Sequence, residues 1–219
     1  MKVGALMTIV AAIGMGAQAK DATEEQFSVV TVHVQYSFER VALALTRAKY
    51  VASAMFAEVG VRINWRAGRP SGPQEDLPIL IDLTGNTPEN LSPGALAYAQ
   101  VYEGVHIRIF GDRIEEIGGR SWANQLLPHV MVHEITHILQ GIYRHSPDGV
   151  MKAHWTIADL QKMAYKPLRF GPHDVSLIRA GLSRRSLAKQ AIDSMNKDAA
   201  GIIGIASYPL VRPAQMSSY

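Results

Sequence analysis

Residues 133–151 read His133-Glu134-Ile135-Thr136-His137-Ile138-Leu139-Gln140-Gly141-Ile142-Tyr143-Arg144-His145-Ser146-Pro147-Asp148-Gly149-Val150-Met151. Around the start of this stretch Leu126, Leu127, Val130, Ile138 and Leu139 supply apolar anchors, which predict a helix over Ser121–Gln140 with Pro128 as a kink or a late start. On that helix His133 and His137 lie one turn apart on one face, so two imidazole nitrogens can converge on a metal ion about 2 Å away. Glu134 stands beside the first histidine, where its carboxylate can reach a water on the ion without itself binding the metal.

A catalytic zinc site usually takes three protein ligands and keeps one position open. No glutamate follows Glu134, which excludes a glutamate ligand from further along the chain. His145, His154 and His173 remain, with Asp148, Asp159 and Asp174 as carboxylate options. Gly141 can take a left-handed conformation, end the helix and turn the chain back toward the metal, which favours His145. His129 lies one turn before His133, but Pro128 and the closure that a fourth ligand would impose argue for a supporting place or partial exposure. Spacing does not choose among Tyr143, Tyr165 and His154 as the group that steadies an oxyanion. The two tyrosines are expected to pack with their hydroxyls at the surface.

Outward from the motif, Phe27–Tyr36 is β-branched and aromatic and reads as a strand. Ser37 is a plausible N-cap for a helix carrying Val41, Leu45, Ala48, Ala52, Met55 and Phe56 at helical spacing, which Gly60 stops. Val61–Trp65 reads as a second strand, Gly68–Pro73 as a loop, and Leu77–Leu83 as a third strand. After a loop over Thr84–Gly94, Ala95–Tyr102 and Val105–Phe110 read as a hairpin turning at Glu103-Gly104. That order predicts a mixed sheet with a parallel first crossover and an antiparallel strand at or near an edge. Helical patterns follow at 156–165 and 172–190, opened by Thr156 and Pro172, and the stretch from Ala199 has no clear period.

The chain has 219 residues, 47% of them hydrophobic, with 22 Lys and Arg against 19 Asp and Glu. This length and apolar content predict one compact domain with a real core and exclude disorder throughout. A net charge of +3 spread along the chain argues against a nucleic-acid partner. There is no cysteine, so disulfide scaffolds, thiolate zinc sites, iron–sulfur clusters, thiol nucleophiles and a lipidated cysteine are excluded. Any metal must be held by His, Asp or Glu. At the N-terminus Lys2 precedes an apolar run from Val3 to Ala17, and Ala17-Gln18-Ala19 has small residues where a signal peptidase reads. Residues 1–19 are therefore expected to be a cleaved signal, 20–198 the catalytic domain and 199–219 a tail. The mature protein is expected to be secreted or periplasmic, without a stable membrane span after cleavage.

The segment HEITHILQGIYRHSPDGVM resembles the zinc-binding consensus of the metzincin metallopeptidases. The resemblance implies zinc ligands at His133, His137 and His145, a catalytic Glu134, a turn at Gly141 and a structural methionine turn at Met151. It departs from the common pattern in spacing, since Gly141 comes four residues after His137 and His145 four after Gly141, against three and three. The arrangement HExxHxxxGxxxHSxxGVM is instead similar to a group of small exported bacterial metzincin-like proteins. The fold it implies is an α+β, zincin/metzincin-like one: a mixed twisted sheet with an antiparallel edge strand, a long helix after the first strand, a zinc-binding helix, the methionine turn and C-terminal helices. The edge strand, Ala95–Tyr102, would border the cleft and bind extended substrate by strand addition. The implied activity is zinc-dependent hydrolysis of peptide bonds in a peptide or protein partner, with Glu134 activating a zinc-bound water. A zinc-stabilised binding protein without turnover and a zinc hydrolase of a non-peptide amide are the alternatives. Glu134 speaks against the first, because a purely structural site needs no base. Oligomeric state is not legible in the sequence.

Overall fold

A computed structural model describes residues 27–205, apart from 38–40, 72–76, 90, 93, 102–104 and 120–121. The expected signal at residues 1–19, the turn at Glu103-Gly104 and the last part of the tail, 206–219, lie outside the described residues. Among the described residues, five strands and five helices follow in the order β1 (Ser28–Tyr36), α1 (Val41–Ala57), β2 (Val61–Ala67), β3 (Ile79–Thr84), β4 (Ala97–Ala99), β5 (His106–Phe110), α2 (Gly111–Gly118), α3 (Trp122–Gln140), α4 (Ile157–Tyr165) and α5 (Pro172–Ile205).

The sheet has the order β2-β1-β3-β5-β4. β1 pairs in parallel with β2 and β3, β3 pairs in parallel with β5, and β4 runs antiparallel along the edge of β5. Alternation sets which face is covered. Val30, Val32 and Val34 of β1 turn inward with Ile79, Ile81 and Leu83 of β3 and Ile107 and Ile109 of β5. Against them α1 lays Ala48, Ala52 and Phe56, all fully buried. α3 is buried on every side from Leu126 to Gln140, as a helix that is the centre of a core must be. The opposite face of the sheet stays open, with Arg62, Arg66, His106 and Arg108 exposed.

Four differences from the sequence reading have physical causes. β4 is three residues long rather than the eight of Ala95–Tyr102, although Phe110 N–H to Leu96 O and Gln100 N–H to His106 O extend the pairing one bond at each end. α2 was not foreseen, because its eight residues offer only Ile114 and Ile117 as apolar anchors. α3 begins at Trp122 and contains Pro128, so the proline does not delay its start. The proline removes the bond to the carbonyl of Asn124, and Asn124 lies on the exposed side of the helix. α5 continues to Ile205 instead of stopping near 190, so the helix enters the stretch that carried no period. α4 starts after Thr156, as expected, and a capping box closes that start: the Thr156 hydroxyl accepts from Asp159 N–H, and the Asp159 carboxylate accepts from Thr156 N–H.

α5 sits very close to the end of α3. A Cβ on Gly181 would fall 1.6 Å from Leu139 O, a backbone atom that cannot swing aside. Gly181→Ala is therefore expected to destabilise the protein by about 3 kcal/mol, seen as a drop in Tm of roughly 6–12 °C. An unchanged Tm would contradict this helix contact.

Candidate metal centre

The local fold aims the histidines. α3 carries His133, Glu134 and His137 and ends at Gln140. Gly141, at φ +70°, takes the left-handed turn for which a glycine is suited, and its N–H donates to His137 O at 2.8 Å. The chain then swings back through 142–150 beneath its own helix. There His133 Nδ1 bonds Val150 O at 2.9 Å, and His137 Nδ1 bonds Ile142 O at 3.1 Å. A carbonyl only accepts, so both Nδ1 atoms carry the hydrogen and both Nε2 atoms present lone pairs.

Those two Nε2 atoms face each other at 3.0 Å. Two bare lone pairs at that separation repel, and a cation shared by the two nitrogens would relieve that repulsion. His145 completes the group, its ring 5.2 Å from that of His133 and 5.0 Å from that of His137. One nitrogen from each of the three lies within 4.8 Å of the others. Nitrogens sharing a tetrahedral zinc with bonds of about 2.0–2.1 Å are about 3.3 Å apart, so the donor set fits one such ion after a small adjustment of His145.

Electrostatics agree with ligation. Burial pushes His133 down to about 3 and His137 to about 4, so both are neutral at pH 7, as metal binding requires. His145 is exposed, and its pKa is lowered by partial burial and by His154. Glu134 is 8% exposed, and burial raises its carboxyl to about 8. It lines a cavity of about 360 Å³ together with His133, His145, His154, Trp155 and the segment leading into β4.

The other candidates are elsewhere. His129 is buried rather than partly exposed: its Nδ1 meets Gln125 O at 2.5 Å, its Nε2 accepts from Leu168 N–H at 3.0 Å, and burial lowers it to about 4. Asp159 is engaged by Lys152 and Thr156, which hold its carboxyl well below the usual range. Asp174 is fully buried on hydrogen bonds from Arg144, Ser146 and Gly171. His173 and Asp148 are exposed and outside the triad, and His154 lines the cavity without joining it. Of the tyrosines, Tyr165 is 92% exposed, and Tyr143 packs its ring 5.6 Å from that of His137. Met151 is fully buried, next to the Val150 carbonyl that holds His133.

Trp155 escaped the sequence reading. Its ring stands edge-on to His133 at 5.6 Å and to His129 at 6.3 Å, walling the metal centre. Its place four residues past Met151, just before the Thr156 cap, was the available signal.

The buried imidazoles set a pH dependence for the metal-free protein. Unfolded histidine titrates near 6.5, whereas folded His129, His133 and His137 resist protonation until about 3 to 4. Their contribution to stability is full above about pH 6.5 and is lost as the pH falls toward 4. Glu134 acts in the opposite sense, being one group against three. The Tm of the metal-free chain is expected to fall by several degrees between about pH 7 and pH 5, and a flat profile in a thermal melt would contradict the burial of these rings.

No family model matches the chain, and no curated protein matches it in sequence. Among solved structures, the chain is similar to the crystal structure of archaemetzincin from Methanopyrus kandleri, with a TM-score of 0.51 and 14% identity over 71% of this chain and 97% of that one. At that identity the likeness is one of fold: a mixed, mostly parallel sheet and its helices, on which this chain assembles a histidine triad able to hold a metal ion.

Proposed function

We propose that the chain is an exported zinc-dependent peptidase, with His133, His137 and His145 as metal ligands and Glu134 as general base and acid. The observation that carries this reading is the convergence of the His133 and His137 Nε2 atoms, 3.0 Å apart, beside a cavity lined by His133, His145 and the buried Glu134. When bound, zinc supplies Lewis acidity, polarising a carbonyl and lowering the pKa of water from about 15.7 toward about 7.

The chain's own residues do the rest. Glu134 takes the proton of the attacking water and passes it to the leaving amine from its buried place beside His133 on the cavity wall. Val150 and Ile142 carbonyls fix the tautomers and ring planes of His133 and His137. Gly141 makes the turn that returns the chain to the helix, and Met151 packs the floor of the site. The substrate is a peptide or protein lying along the free edge of β4, which borders the same cavity through Ala97. Nucleic acid has no part in this reading. Export rests on the N-terminal segment 1–19, and no helix among the described residues is long and apolar enough to cross a membrane.

The test is to purify the chain, measure bound zinc and follow cleavage of a broad peptide library beside Glu134→Ala. Zinc-dependent cleavage that the variant lacks supports the proposal. Stoichiometric zinc with no turnover would instead favour a zinc-stabilised binding protein.

A further inference from the structure

His133 and His137 are each steadied twice, by a rigid buried helix and by a carbonyl on Nδ1. His145 has neither support. It is exposed, it stands in the irregular segment between α3 and α4, and its ring makes ring-to-ring contacts with the other two histidines but no hydrogen bond to a described residue. Whatever places its nitrogen must act through the backbone on either side.

Both neighbours of His145 end on one atom. Ser146 Oγ donates to Asp174 Oδ1 at 2.7 Å, and Arg144 Nη1 donates to the same oxygen at 3.0 Å. Arg144 Nη1 also reaches Ser146 Oγ at 3.2 Å, which closes a three-membered network around the histidine. The other carboxylate oxygen, Oδ2, accepts from Gly171 N–H at 3.1 Å, and the Asp174 carbonyl accepts from Gln140 Nε2 at 3.4 Å. Asp174 is thus tied to the loop, to its own helix start and to the last residue of the metal helix. It is 0% exposed, and a carboxylate is kept in such a place only with charge-assisted partners around it.

We propose that Asp174 is the positioning residue for the third metal ligand, gripping Arg144 and Ser146 so that His145 is held against the helix pair. The proposal rests on the metal reading given above. A cap for α5 would need only the Gly171 contact through Oδ2, and Oδ1 is the atom left over for the loop. Ser146 is fixed from its other side as well, its N–H donating to Met151 O at 2.7 Å, so the grip extends from α5 to the methionine turn.

The test is a cobalt(II) titration of the purified chain against a competing chelator, followed by visible absorption, which reads affinity and coordination together. The set is wild type, Asp174→Asn, Ser146→Ala, His133→Ala and Ile79→Val, the last loosening the core on β3 as a control for general destabilisation. Asp174→Asn and Ser146→Ala are expected to weaken cobalt binding roughly ten- to a hundredfold and to change the visible bands, while Ile79→Val changes neither. If Asp174→Asn fails to fold, Ser146→Ala decides, because it leaves the buried Asp174–Arg144 pair in place. Unchanged affinity and bands, with His133→Ala abolishing binding, would overturn the positioning role and leave the metal site standing. A wild-type chain that binds no cobalt, or binding that survives His133→Ala, would overturn both.

Discussion

Replacing Glu134 by glutamine is expected to lower peptide cleavage by about 10²–10⁴-fold while leaving one zinc per chain in place. The amide keeps the shape and volume of the carboxylate, so the cavity and the adjoining His133 are undisturbed. What it cannot do is accept a proton from water. The same burial that lifts the Glu134 carboxyl to about 8 makes its ionised form costly to the fold. The sign follows from linkage: a carboxyl raised above its unfolded value near 4.3 contributes stability at acid pH that is lost as the pH rises through about 8. Metal-free Glu134→Gln is therefore expected to melt above the wild type at pH 8 and close to it at pH 4. Activity falling while stability rises is the pattern of a residue kept for chemistry. Loss of both would mean that Glu134 serves the fold instead.

Replacing His145 by alanine is expected to weaken zinc binding by more than about a hundredfold, since even partners that merely orient a ligand are worth about 10–100-fold. His154→Ala is expected to leave affinity unchanged, although both side chains line the same cavity. The distinction is geometric. A His145 nitrogen lies within 4.8 Å of nitrogens on His133 and His137, and His154 is outside that group. Competition with a chromophoric chelator measures both variants, and the reverse ranking would reassign the third ligand. His145→Ala should also leave the thermal melt of the metal-free chain nearly unmoved, because the ring is exposed and makes no hydrogen bond to a described residue.

Much of this architecture was legible locally. The β-branched run of β1, the apolar spacing of α1 and the stop at Gly60 define a parallel crossover, and β4 follows as the antiparallel edge. The helix pair of histidines was legible for the same reason, since residues four apart share a face whatever the tertiary context. Other features depend on contacts remote in sequence. By sequence Asp174 is one more carboxylate option for a metal; in the fold it is the partner of Ser146, 28 residues earlier. His129 owes its tautomer to the Leu168 N–H, 39 residues later, which donates to its Nε2. α2 was hidden by its brevity, although Asp112 in its first turn and Gly118-Gly119 at its end are helix signals. α5 runs past 190 to Ile205, into a stretch whose sequence carries no clear apolar period to mark it as helix.

The proposed function requires three histidines on one zinc ion with a position left for substrate chemistry. X-ray absorption at the zinc edge of the purified chain reads that shell. One zinc per chain is expected, with three imidazole nitrogens at about 2.0–2.1 Å and an oxygen completing the shell. No bound zinc, or a shell with fewer than three imidazoles, would contradict the proposed function.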